Sequence, residues 1–225
     1  MRILVFAPHA DDEVLGVGGT MARYTEEGNQ VYVCVVTVGQ ASMFPQSVIT
    51  AIRGEALAAH NLLGVHESIF LELPAVLLSE VSRYEINGKL CKVVEKVKPD
   101  IVYIPHFGDM HYDHTLVAQA AMVAVRPING CTIKEVYSYE TLSESEWNTP
   151  HVVNSFNPNT YVDISSQLDK KRKAMECYQS QLKEFPHPRS IRALESLAAL
   201  RGSTVGINAA EAFCLLRKIE PCFGE

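Results

Sequence analysis

The chain has 225 residues, 47% of them apolar, and a formal net charge of −6. That is enough apolar material for a sizeable core, and lysines and arginines spread along the chain leave no basic stripe for nucleic acid or an anionic membrane. No apolar run reaches the roughly 18 residues of a membrane span, and residues 1–7 lack a signal-peptide cleavage site, so the expected compartment is the cytosol.

In chain order, residues 2–7 read as a buried strand, with Ile3-Leu4-Val5-Phe6-Ala7 as its apolar run. The polar stretch Pro8-His9-Ala10-Asp11-Asp12-Glu13 follows, then a helical pattern over 17–28 that Gly28-Asn29 stops. A valine-rich strand is predicted over 31–38 and a loop over 39–45. Ile49, Ile52, Ala56, Ala59 and Leu63 recur at helical spacing up to Gly64. Further strands are expected at 68–73, 101–104, 135–139 and 160–164. Further helices are expected at 79–98, 115–125, 165–181 and from 189 to about 201. The spacing predicts a Rossmann-like three-layer α/β/α fold with a mostly parallel sheet, formed by residues 1–225 as one domain. The glycines of Gly16-x-Gly18-Gly19 do not make a dinucleotide fingerprint. Close helix–strand packing is their expected use. The six cysteines, Cys34, Cys91, Cys131, Cys177, Cys214 and Cys222, show no C-x-x-C pair and are expected to be reduced.

In such sheets ligands bind beyond the carboxyl ends of the strands, where the strand order reverses. Two polar clusters follow the first and fourth predicted strands, and they are expected to meet. In the first, one imidazole and three carboxylates within five positions repel and lose water unless a cation joins them. In the second, His111-x-Asp113-His114 opens a helix. His9, Asp12 and His114 would then be three protein ligands with one position open, a donor set suited to catalytic zinc and also to iron(II) or cobalt. Asp11 is left to act on a water. Asp113 is expected to accept a ring N–H from a neighbouring histidine. Arg53, on the apolar side of its helix, is either paired with an acid or a donor to substrate.

Pro8-His9-Ala10-Asp11-Asp12-Glu13 together with His111-x-Asp113-His114 resembles the PIG-L/LmbE-like deacetylases. The likeness extends to Arg53-Gly54-Glu55, to Ser180-Gln181 and to Ala210-Glu211-Ala212-Phe213. It implies zinc on His9, Asp12 and His114, Asp11 as general base, His111 as the partner that stabilises the oxyanion or donates a proton, and Arg53 at the substrate. In the mechanism expected here Asp113 keeps His111 charged and oriented, and either Asp11 or His111 protonates the leaving amine. It also implies removal of the acetyl group from a small-molecule N-acetylglucosamine-type sugar, in a homo-oligomer, trimer or hexamer. Ala10 stands where the commoner family form has proline. Asp109 stands where some relatives have tyrosine, whose role is not carried over. Two rival readings are a metal-dependent phosphoesterase and a non-catalytic, zinc-stabilised sugar-binding module.

Overall fold

The computed structural model describes residues 1–128, 130–149 and 155–220; Cys222 lies outside them. Layering begins with alternation along the first strand, β1 (Arg2–Ala7). Ile3 and Val5 pack into one apolar cluster, Leu4 and Phe6 into another. On the first face lie α1 (Asp12–Glu26), α2 (Gln46–Leu63) and α5 (Leu168–Glu176), through Val14, Val17, Met21, Ala56, Leu63 and Met175. On the second lie α3 (Arg83–Val97) and α4 (Tyr112–Ala124), through Ile86, Leu90, Val93, Val117 and Ala121. Both faces of β1 are therefore dry, which is why its run is apolar without a break.

The remaining strands are β2 (Gln30–Val38), β3 (Glu67–Pro74), β4 (Ile101–Pro105), β5 (Glu135–Tyr139), β6 (Thr160–Asp163) and β7 (Ala210–Lys218), and a last helix, α6, spans Ile191–Thr204. Together they form a seven-stranded sheet in the order β3-β2-β1-β4-β5-β7-β6. The first five of these strands run parallel, and β7 is antiparallel to both β5 and β6. Direction of winding reverses between β1 and β4, whose carboxyl ends carry the two polar clusters.

Three elements differ from the sequence-based expectation. α1 starts at Asp12 rather than at 17, so two acids sit in its first turn, where the positive end of the helix dipole favours them. The helix expected over 165–181 is confined to Leu168–Glu176. The tail around residue 211 is strand β7, which the sequence analysis leaves unassigned. Its Glu211 is buried and fastens three elements: it accepts from Gly19 N (2.8 Å) and Thr20 N (2.7 Å) of α1 and from Lys171 Nζ (2.6 Å) of α5. Lys171 also donates to Leu15 O at 2.7 Å, so this buried ion pair has its hydrogen bonds shared with the α1 backbone. The glycines serve packing, as expected. A Cβ at Gly16 would stand 2.2 Å from Tyr139 Cδ2 of β5, and one at Gly19 would stand 2.8 Å from the Ile164 side chain.

Candidate active site

β1 delivers His9 just beyond its end, and α1 delivers Asp11 and Asp12. Asp11, the residue before the helix, has φ 115°, a left-handed conformation that costs a non-glycine residue energy and is found where function demands it. The turn is closed by His9 N–H donating to Asp12 Oδ2 at 2.8 Å. From the other side of the strand crossover, α4 delivers His114 from its first turn.

Three ligand-type atoms converge. Asp12 Oδ2 lies 3.4 Å from His9 Nδ1 and 3.2 Å from His114 Nε2, and the two ring nitrogens are 3.3 Å apart. A tetrahedron with bonds of about 2.0–2.1 Å has edges of about 3.3–3.4 Å, so the triangle fits one face of a four-coordinate cation. The charges fit as well. Burial lowers the His9 imidazole, but Asp113 and Asp12 bring it up to about 9. Burial lowers His114 too, and Asp12 and Asp109 bring it up to about 10. Burial raises Asp12, yet His114 and His9 hold it well below the usual carboxylate range. The cluster thus stabilises positive charge at the position a divalent cation would take. The same carboxylate leaves Oδ1 buried without a hydrogen-bond partner among the described residues.

Both imidazoles are held from behind by carboxylates. His9 Nε2–H donates to Asp113 Oδ2 at 3.1 Å, and His114 Nδ1–H donates to Asp109 Oδ2 at 2.8 Å. These bonds fix the tautomers that leave Nδ1 of His9 and Nε2 of His114 free to ligate. Asp109, noted in the sequence only as a departure from the tyrosine of some relatives, thus supports His114 from behind. Its signal is weak, a single acid in a polar loop five residues before His114. Asp109→Asn is expected to weaken metal binding ~10–100-fold while the fold persists, measurable by competition with a chromogenic chelator.

His111 and Asp113 are brought to the site, but not to each other as expected. Asp113 Oδ2 is 3.9 Å from His111 Nδ1 and makes its hydrogen bonds to His9 and to Val76 N (2.8 Å). His111 Nδ1 instead accepts the Asp113 backbone N–H at 3.2 Å, capping α4. A ring nitrogen that accepts carries no proton, so His111 is the neutral tautomer with its proton on Nε2, not the charged imidazole expected. Burial and the charge on His9 agree, pulling it down to about 4.

Asp11 is 1% exposed, and burial pushes its carboxyl up to about 8 against the pull of Arg189. Arg189 Nη1 meets Asp11 Oδ2 at 3.1 Å, and its other nitrogens reach Ser143 Oγ (2.9 Å) and Glu144 Oε1 (3.5 Å). Glu144 in turn accepts His111 N–H at 3.1 Å. Neither Arg189 nor Glu144 could be singled out from the chain, because each lies far from the two motifs and in irregular backbone. Asp11 Oδ1 has no hydrogen-bond partner among the described residues. Arg53 stands on the far wall of the adjoining cavity, ion-paired to Glu72 and stacked over Phe70 at 4.4 Å. His106, at the end of β4 and a competing ligand by sequence, is not one of the three converging residues; its ring meets that of Phe156 at 5.2 Å.

Comparison with known proteins points the same way. The PIG-L family model, described as GlcNAc-PI de-N-acetylase, matches residues 4–125. The uncharacterized deacetylase YaiS of Escherichia coli is 30% identical over 63% of this chain and 74% of its own length. The 4-oxalmesaconate hydratase of Pseudomonas putida is 26% identical over 79% of this chain and 73% of its own. The N,N'-diacetylchitobiose deacetylase of Pyrococcus horikoshii shares the fold, with a TM-score of 0.76 at 22% identity over 96% of this chain and 84% of that one. With both polar clusters converging on one three-ligand site, and with the family model spanning more than half of its length, the chain belongs to the PIG-L family of de-N-acetylases.

Proposed function

We propose that this chain is a zinc-dependent hydrolase that removes the N-acetyl group from an N-acetylglucosamine-type sugar or sugar conjugate and releases acetate. The observation that carries this reading is the triangle of His9, Asp12 and His114 with the buried carboxylate of Asp11 beside it. His9, Asp12 and His114 would hold a divalent cation, which would supply Lewis acidity to acidify a water and polarise a carbonyl. Asp11 takes the proton from the attacking water through its unspent Oδ1; a cation on the neighbouring ligands would add the positive charge that brings its carboxyl back down from about 8 into the ionised form. Arg189 holds the other oxygen and so fixes the orientation of the base. His111 donates its Nε2–H to the oxygen of the amide as charge develops there, with no need to be charged itself. Asp113 and Asp109 keep His9 and His114 in their ligating tautomers. Asp11 then returns its proton to the leaving amine.

Acetate release from a panel of N-acetylglucosamine glycosides tests the reading, with enzyme stripped by chelator and reloaded with zinc, iron(II) or cobalt. Turnover that disappears on stripping and returns best with zinc is expected. Metal binding without acetate release across the panel would sink it and favour a binding module. Because one relative is a hydratase, water addition to an unsaturated acid is the second reading. Loss of absorbance from a conjugated substrate, without acetate, would support it.

The single sheet supports reading residues 1–225 as one domain. The five described cysteines are free, in keeping with a reducing, cytoplasmic setting. No helix among the described residues is long and apolar enough to cross a membrane. Assembly into a trimer or hexamer is proposed from the family resemblance, and sedimentation velocity checks it.

A further inference from the structure

The cavity that begins at His9, Asp11 and His111 has a volume of about 320 Å³, within the range of small-molecule sites. Its far part is walled by Val35 and Val38 of β2, Phe44 of the following loop, Ile49 and Ile52 of α2 and Phe70 of β3. A sugar ring carries hydroxyls around its edge, and each needs a partner once it leaves water. These six side chains offer none. Thr37, at the same wall, spends its hydroxyl on Pro8 O at 2.8 Å, and Arg53, half exposed at the rim, gives one Nη1–H to Glu72 and stacks over Phe70. Free polar capacity lies at the catalytic end and at the exposed Arg53–Glu72 pair, not on these six side chains.

Two further features fit a wall that meets a ligand. Phe44 is 40% exposed at its rim, as a contact awaiting an apolar partner would be. The opposing edge holds strained backbone: Glu72 has φ 56° and Val76, a β-branched residue, has φ 69°. Val76 is kept there by Asp113, the carboxylate that also holds His9, so wall and catalytic histidine share one fastening.

We infer that the substrate carries, next to its scissile amide, an apolar alkyl or aryl group that fills this part of the cavity. The inference rests on the deacetylase reading above and narrows its substrate class to amphipathic amides. An apolar group of that kind belongs either to the acyl chain or to the aglycone of the sugar.

Two substrate series separate these sources. One varies the aglycone of N-acetylglucosamine from methyl through butyl to octyl and phenyl. The other keeps a methyl glycoside and lengthens the acyl group from acetyl to octanoyl. In one series kcat/KM is expected to rise about threefold to fourfold per added methylene, mainly through KM, until the cavity is full. The other series stays flat and is thereby excluded as the source. Ile52→Ser and Phe44→Ser are each expected to shrink the ratio between longest and shortest substrate. If the methyl N-acetyl compound is hydrolysed and neither series improves with length, the inference is overturned and the deacetylase reading stands. If the metal-loaded enzyme hydrolyses no member of either series, both fall.

Discussion

Replacing Asp11 with asparagine is expected to lower kcat by a factor on the order of 10²–10⁴ while the bound metal stays stoichiometric. Asparagine keeps the size of the side chain and, like aspartate, tolerates the left-handed backbone that Asp11 adopts at φ 115°. It cannot take a proton from water. Asp11 is not among the three converging ligand atoms, so removing its charge should spare metal binding. The measurement is kcat on an N-acetylglucosamine glycoside beside metal content by mass spectrometry. A variant that retains wild-type turnover would remove Asp11 from the reaction. One that loses its metal would make it a ligand instead.

His114→Ala is expected to lose both metal and turnover, to background on each assay. The side chain is fully buried between Asp12 and Asp109, at 3.2 and 2.8 Å. Its removal leaves carboxylates facing a dry cavity with one imidazole fewer, so the metal-free protein should also lose about 3–5 kcal/mol of stability, read from urea unfolding. The linkage has a definite sign. His9 and His114 have pKa values raised to about 9 and 10, above the ordinary 6.5. Their contribution to the metal-free fold is therefore complete below about pH 6.5 and fades as pH rises through 9–10. Cation binding displaces those protons, so calorimetry at pH 7 should show proton release on metal uptake by wild type. Unchanged metal affinity in the variant would break the three-ligand account.

Much of this was legible in the chain. Uninterrupted apolar runs dictated buried parallel strands, and alternation with helical patterns dictated a layered sheet, because those periods leave few ways to bury one face. An imidazole and acids crowded at the end of one strand, answered by two histidines beyond another, pointed to a cation because nothing nearby in the sequence offsets that local density of charge. Both signals are local, carried by residues within a few positions of one another. Other features depend on contacts across the chain and had no local trace. Arg189 reaches Asp11 across 178 positions, and Glu211 fastens α1 across 191 or more, from a tail with no helical or turn signal. Which nitrogen of His111 carries the proton, and which histidine Asp113 holds, differ by an ångström or less in the placing of one carboxylate. Residue types and spacing specify the chemistry a site can draw upon, but hydrogen-bond partners are set by distances that only the packed chain defines.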